Sequence, residues 1–198
     1  MKSCYFNHYP SSFHLPYKLS FNMIIAQQKR TENIAEYLLY MYQVEDMIRA
    51  NDLDLDSIEN TLISKFDVPY DVKREMREWY KSLIAMMQDE GREETGHLGI
   101  LENLTGKMHE MHHRILEQGI DMAYREVYKK AKPNLEALRM RSGHRKENDI
   151  QVALNGLYGL LILKLKKTPV NPETSRAFDS IRELVAELAS RYMEADNG

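Results

Sequence analysis

The spacing of apolar residues is the feature that most limits how this chain can fold. From Met23 onward they recur every three or four positions, for example at Ile34, Leu38, Met41, Val44 and Ile48. This period places them on one face of an α-helix. No segment alternates apolar and polar residues between turn residues, as a half-buried strand does. The sequence therefore predicts an all-α fold.

Turn and cap residues divide this pattern into separate helices. Pro69 breaks the chain, and Pro172 suits a first helical position because its missing N–H costs nothing there. Asp54 or Asp56 caps a short helix, and Pro133 must kink or split a later one. At 198 residues the chain has the length of one domain. We expect a single-domain bundle of six to seven mainly antiparallel helices over residues 23–195, with approximate ranges 23–51, 56–66, 71–90, 95–118, 121–142, 149–167 and 172–192.

The helix predicted over residues 149–167 is apolar on nearly all its faces. A helix of this kind is typical of a protein core. Gly156 and Gly159 lack side chains, which allows a neighbouring element to approach closely. We therefore expect this helix to be the central and most buried one.

Residues 1–22 differ from the rest of the chain. They contain six of its 18 aromatic residues, two prolines and no acidic residue. Because this composition suits no regular element, we expect a disordered or non-native tail that precedes a natural start at Met23. The alternative is an aromatic segment that docks in a groove.

Composition excludes several classes of protein. The one cysteine, Cys4, cannot form a disulfide within the chain, and the net charge of −3 gives no global attraction to nucleic acid. No run of about 18 apolar residues exists, so we expect no membrane partner. A Gly-rich phosphate loop, a G-x-S-x-G elbow and a C-x-x-C pair are all missing, so we assign no cofactor. These features favour a cytoplasmic protein.

The sharpest chemical motif is His-Glu-Met-His-His at residues 109–113, which fits the H-E-x-x-H pattern. In zinc proteases two histidines one turn apart hold the metal, and the glutamate activates water. Charged neighbours and the lack of a predicted edge strand disfavour a protease, and His112 points into the apolar face of its helix. The pattern favours one packed histidine, His112, and two solvated ones. A metal site on His109 and His113 is the alternative.

A second pattern, Glu-x-x-His, occurs at Glu94–His97 and again at Glu110–His113. Carboxylate-bridged metal bundles use this pattern twice, from different helices. On one helix these two copies lie about 24 Å apart, too far to share a pair of metal ions. Glu94 and His97 therefore join His109 and His113 as candidate metal ligands only if a glycine near His97 interrupts the helix. Otherwise we expect two surface Glu–His pairs.

Charge is distributed unevenly along the chain. Residues 129–146 hold seven cations and one acid, whereas residues 45–59 hold six acids and one cation. A basic helix with Tyr124 and Tyr128 nearby could hold phosphates or RNA. The negative net charge and the lack of a nucleic-acid motif disfavour that function. We expect a solvated basic face that complements the acidic stretch, within the molecule or across a dimer.

Several packing-rich stretches carry a resemblance to a known family. They are Met-Ile-Ile-Ala-Gln-Gln-Lys at 23–29, Asn-Ile-Ala-Glu-Tyr-Leu-Leu-Tyr at 33–40, Gln-Val-Glu-Asp-Met-Ile-Arg at 43–49, Gly-His-Leu at 96–98 and Leu-Tyr-Gly at 157–159. Together they resemble a family of helical Bacteroidetes proteins described as a domain of unknown function, DUF4924. The resemblance covers about 23–193 and implies an all-helical single domain in a bacterial cytoplasm. It implies no activity, cofactor or catalytic residue.

Together, these features favour a non-enzymatic interaction or structural protein that self-associates as a homo-oligomer. The predicted first helix carries more tyrosine and methionine than one face can bury, which is typical of a groove or subunit interface. One alternative is a small-ligand or metal-binding protein, or an enzyme, with a site near His97, His109 and His113. Another is nucleic-acid binding through residues 129–146. No catalytic residue is assigned.

Overall fold

A computed structural model describes residues 21–142 and 146–196, with side chains from residue 25 onward. Every regular element in these residues is helical, which confirms the predicted all-α class. The predicted count of six to seven helices is wrong, because the described residues form eight α-helices and one 3-10 turn. They are α1 (Phe21–Glu32), α2 (Ile34–Ala50), α3 (Leu55–Thr61), the 3-10 turn (Ile63–Lys65), α4 (Tyr70–Asp89), α5 (Gly99–Gln118), α6 (Met122–Ser142), α7 (Asp149–Leu165) and α8 (Pro172–Asp196).

The predicted helix over residues 23–51 is in fact two helices, α1 and α2. Asn33 separates them with an extended backbone, φ −158° and ψ 106°, and its side chain accepts hydrogen bonds from the N–H groups of Ala35 and Glu36. Asparagine competes with the helical backbone in this way and favours an N-cap position. The apolar period continues across the break, so periodicity alone did not reveal it.

Of two further helix starts, one agrees with the prediction and one differs from it. Of the two predicted caps for α3, Asp54 is the one observed, accepting from the N–H groups of Asp56 and Ser57. The helix predicted from residue 95 begins only at Gly99, after a loop at residues 91–98. Gly91 and Gly96 in this loop have φ values of 65° and 84°, a left-handed conformation that glycine adopts without strain. We call this segment the 91–98 loop.

Pro133 does not split its helix. α6 is continuous from Met122 to Ser142, with Pro133 in its interior. Ala131 and Leu135, on either side of the proline, are both buried, and α6 packs along α8. Tertiary packing on both sides of Pro133 therefore holds the helix together despite the lost backbone hydrogen bond.

The core is a single cluster of apolar side chains that draws on all eight helices. The tyrosines and methionines of the predicted first helix belong to it. Tyr37, Met41 and Tyr42 are buried, while Tyr40 and Met47 pack against the cluster from its edge. These tyrosines and methionines, which the sequence assigned to a groove or a subunit interface, therefore lie in the core or at its edge.

The predicted domain division, a tail at 1–22 and a single domain at 23–195, stays a prediction. Residues 1–20 lie outside the described part of the chain, whereas Phe21 and Asn22 belong to α1. Among the helices described, none combines the length and the apolar character needed to cross a membrane.

Candidate functional site

A carboxylate lies in the core between α2 and the 91–98 loop. The Glu45 side chain is 1% exposed, and its two oxygens have different partners. Oε1 accepts a hydrogen bond of 2.8 Å from the backbone N–H of Leu98, and Oε2 lies 2.6 Å from Nδ1 of His97. Leu98 directly precedes α5, so the carboxylate faces a helix N-terminus, where a negative charge is favoured. Both oxygens are thus paired, as a buried acid requires.

Arg49 fixes the 91–98 loop onto α2. Its guanidinium donates to the carbonyl oxygens of Arg92, at 3.1 Å, and Gly96, at 2.5 Å, and also to the carboxylate of Asp46. A Cβ at Gly96 would lie 2.9 Å from the Arg92 guanidinium, so the loop has no room for a larger residue there without movement. The guanidinium is therefore fully committed to holding the loop that carries His97.

His97 is held on two sides. Its ring stacks on that of Tyr42, with centroids 3.5 Å apart and an interplanar angle of 14°, and its Nδ1 contacts Glu45. In the described part of the chain, Nε2 has no hydrogen-bond partner and is not among the buried unpaired atoms. This nitrogen is therefore accessible from outside the protein.

A cleft of about 650 Å³ opens beside His97. Its walls come from α2, the 91–98 loop, α5, α7 and Glu147, just before α7. We call it the polar cleft, and its central side chains are Asp46, Arg49, His97, Gln151, Asn155 and Tyr158. Three further carboxylates, those of Glu94, Glu102 and Glu147, complete the lining.

Most side-chain donors of the polar cleft are bonded to protein acceptors, the hydroxyl of Thr95 being an exception among the described residues. The Tyr158 hydroxyl donates to Asp46 at 2.6 Å, the Gln151 amide donates to Asn155, and the Asn155 amide donates to Glu147. Burial, followed by the hydrogen bond to Asp46, raises the pKa of Tyr158 well above its ordinary value, so this hydroxyl keeps its proton. The cleft is therefore rich in acceptors and poor in uncommitted donors.

The three histidines of the 109–113 motif have different surroundings. His112 is buried with Nδ1 2.7 Å from the Tyr124 hydroxyl, and burial lowers its pKa to about 4, so the ring is neutral near pH 7. His113 is exposed, whereas His109 is half-buried and its buried Nδ1 lacks a hydrogen-bond partner among the described residues. The prediction of a packed His112 is confirmed, and His109 is less solvated than predicted.

The four candidate metal ligands fall into two groups. Glu94 and His97 line the polar cleft, while the rings of His109 and His113 meet with centroids 4.4 Å apart. The 91–98 loop, which contains glycine, does separate His97 from α5. His109, however, lies about 15 Å along α5 from the start of the helix at Gly99. In the part of the chain that the structure describes, no group of three or more His, Cys, Asp or Glu side chains is arranged to hold a metal ion.

α7 is buried over only part of its length. The prediction that it is the most buried helix is wrong, because six of its 17 residues are buried against nine of 17 in α2. Ile150, Leu154 and Leu157 lie in the core, but Leu163 is 40% exposed and Leu165 is 56% exposed. Leu161 and Ile162, between these two regions, are half-buried. We call this C-terminal stretch, residues 161–165, the α7 face.

Two apolar grooves adjoin the α7 face. One has a volume of about 410 Å³ and lies between α2, α7 and α8, with Leu39, Leu161 and Val185 in its walls. The other, about 420 Å³, lies between α6, α7 and α8 and includes Leu163 and Phe178. The exposed Leu163 is therefore continuous with the second groove, and the half-buried Leu161 with the first.

Within the molecule, the described residues of the basic segment do not pair with the acidic stretch, and pairing across a dimer stays a prediction. Arg139 forms an ion pair with Asp149 of α7, while Asp56 and Glu59 of the acidic stretch both pair with Arg77 of α4. The side chains of the other described cations in 129–146 are exposed, and Arg145 lies outside the described residues. The basic segment thus remains a mainly solvated surface.

Sequence reasoning missed Glu45, although a signal was present. Glu45 lies four residues after Met41 and three before Ile48, on the apolar face of its helix. An acid at such a position is buried when the helix packs, and a buried acid needs partners. Its partners in the 91–98 loop lie about 50 residues away in the sequence, so periodicity could not identify them.

The comparisons with known proteins agree with the resemblance seen in the sequence. The model of the family described as "Domain of unknown function (DUF4924)" matches residues 23–198, so the chain belongs to this family. The match begins at Met23, where the sequence resemblance also begins. No curated protein and no solved structure matches the chain.

Proposed function

We propose that this member of the DUF4924 family is an interaction or structural protein that self-associates, and that two copies meet through the α7 face. The observation that carries the proposal is the group of aliphatic side chains left open around the last turn of α7, on more than one side of the helix. Leu163 and Leu165 are the most exposed of them. An oligomer of this kind requires no catalytic residue.

The continuity of the apolar surface supports an interface. Single exposed apolar side chains are ordinary on monomeric proteins, whereas contiguous patches mark interaction sites. The α7 face adjoins two apolar grooves, one on each side of the helix. Stable dimers bury about 1,200–2,000 Å² in total, so the groove walls must join the exposed leucines in the contact.

Charges around the first groove fit a second copy of the same chain. Glu36 lies on its α2 edge, and Lys164 and Arg182 lie on its α7 and α8 edges. Glu36 already pairs with Lys29 of α1 at 2.8 Å. In a two-fold symmetric dimer each contact occurs twice, so a pair of Lys164 with Glu36 of the other copy would extend this ion pair on both sides of the axis. Such rim charges set the orientation of the two copies and contribute little to affinity.

Size-exclusion chromatography with light scattering tests this proposal. We expect the full chain to have the mass of two copies, and Leu163→Gln with Leu165→Gln to return it to one. Glutamine keeps the helix propensity and removes the apolar surface. The matched control is Ile120→Gln with Met122→Gln, since both residues are equally apolar and also exposed but lie away from α7.

Two results would contradict the proposal. One is a mass of a single chain at every concentration of the unmodified protein. The other is a dimer that survives the double substitution on the α7 face but is lost in the control.

Nucleic-acid binding through residues 129–146 and a cytoplasmic location stay predictions. In favour of the first, Lys130, Lys132 and Arg141 are exposed. Against it, Arg139 is committed to Asp149. A gel shift that weakens steeply with salt would support this second function.

A further inference from the structure

We infer that the polar cleft binds a small organic cation that carries N–H donors, with Nε2 of His97 as its principal acceptor. The polar cleft lies on α2, the 91–98 loop, α5 and α7, and it shares Glu147 and Asn155 with the second apolar groove. The inference is separable from self-association, because neither Leu163 nor Leu165 lines the cleft. It rests on a fixed histidine, on the hydrogen-bonding character of the cleft walls and on the volume of the cleft.

The buried Glu45 carboxylate fixes which nitrogen of His97 is available. A carboxylate can only accept hydrogen bonds, so Nδ1 of His97 carries the proton and donates it to Glu45 across 2.6 Å. Whenever the ring carries a single proton, that proton is on Nδ1 and Nε2 is the acceptor; Nε2 is also the ring nitrogen without a hydrogen-bond partner in the described part of the chain. A ligand in the cleft meets this acceptor in a set orientation.

The ring of His97 is also held in place before any ligand binds. It stacks on Tyr42, whose hydroxyl contacts Thr105 Oγ1 at 3.4 Å and Gln151 Nε2 at 3.5 Å. The Arg49 guanidinium holds the loop at the carbonyl of Gly96, the residue before His97. Binding therefore costs little ordering of the site itself.

The walls of the cleft determine the class of ligand. Carboxylates line it at Asp46, Glu94, Glu102 and Glu147. Of these, Glu102 is paired with Arg92 of the loop and Asp46 with Arg49, whose guanidinium also donates to backbone carbonyls. The hydroxyl of Tyr158 and the amide of Gln151 also donate to protein acceptors. A ligand must therefore bring its own donors, and a positive charge is favoured.

The volume of the cleft fits a small molecule. At about 650 Å³ it lies within the range of roughly 300–1,000 Å³ that is usual for ligand sites. Aliphatic amines and guanidines that carry several N–H groups meet the requirements of size, charge and donors together.

Isothermal titration calorimetry on the full chain tests the inference with three ligands of similar length. Agmatine carries a guanidinium and an ammonium group, 1,4-butanediol is neutral, and succinate is a dianion. We expect agmatine to bind, the diol to bind at least about tenfold more weakly because it lacks charge-assisted hydrogen bonds, and succinate to give no signal.

Substitutions test whether agmatine binds in the polar cleft. His97→Ala is expected to weaken agmatine binding about tenfold or more, whereas His113→Ala, at an exposed histidine outside the cleft, leaves it unchanged. His97→Ala also removes the partner of Glu45. A second pair of variants therefore tests the site with Glu45 and His97 both unchanged. Glu94→Gln should weaken binding about threefold, and Glu110→Gln, at an exposed acid on α5 outside the cleft, should not change it.

Three results would overturn the inference. They are the absence of agmatine binding to the unmodified chain, succinate binding as tightly as agmatine, and equal agmatine affinity in Glu94→Gln and Glu110→Gln. Loss of self-association in the α7 variants with agmatine binding retained would leave the inference in place, so the two proposals fail separately.

Discussion

The two halves of α7 carry the same kind of side chain in different surroundings. The N-terminal half places Leu154 in the core and brings Gly156 against Leu138 of α6, where an added Cβ would lie 2.3 Å from Cδ2. In the other half, Leu165 is exposed, and no atom lies within 4 Å of an added Cβ at Gly159. Apolar residues show that a helix needs a partner, but they do not show whether that partner belongs to the same chain.

Replacing one leucine in each half of α7 with alanine should give the largest difference in the free energy of unfolding. Leu154→Ala leaves a cavity in the core and should lower the free energy of unfolding by about 3 kcal/mol. Leu165→Ala removes exposed atoms and should change the free energy by less than about 0.5 kcal/mol. Urea denaturation, at a concentration where the chain is monomeric, measures both. Equal losses in the two variants would mean that the C-terminal half is buried in the monomer.

Replacing Gly156 or Gly159 with alanine should change the free energy of unfolding by a smaller amount, and in opposite directions at the two positions. At Gly156 the new Cβ forces Leu138 to move, and we expect a loss of about 1 kcal/mol after the gain in helix propensity is counted. At Gly159 the space is open, so Ala should stabilise the helix by about 0.5–1 kcal/mol. The same denaturation experiment separates the two. A stabilising Gly156→Ala would show that α6 approaches α7 less closely than the structure has it.

Much of the fold was predictable because local signals agree with the tertiary structure. The predicted ranges 71–90, 149–167 and 172–192 lie close to α4, α7 and α8, whose ends carry proline, asparagine or aspartate. The prediction that a neighbour approaches Gly156 is confirmed, but the same prediction for Gly159 is wrong. The two glycines look alike in the sequence, and only the path of α6 distinguishes them.

The break at Asn33 and the polar cleft were not predictable from periodicity. Asn33 caps α2 without disturbing the apolar spacing on either side. The polar cleft joins α2, the 91–98 loop and α7, which are distant in the sequence. His97 lines the cleft, and its partner Glu45 is buried in the core. Periodicity identifies the face of each helix but not which faces meet.

Hydrogen–deuterium exchange across a dilution series tests most directly whether the α7 face is covered by a second copy. We predict that the amides of residues 161–165 exchange more slowly when the chain is concentrated enough to self-associate, because packing suppresses local opening of the helix end. The amides of α4 should exchange at the same rate at every concentration. Exchange at residues 161–165 that does not depend on concentration would contradict the account.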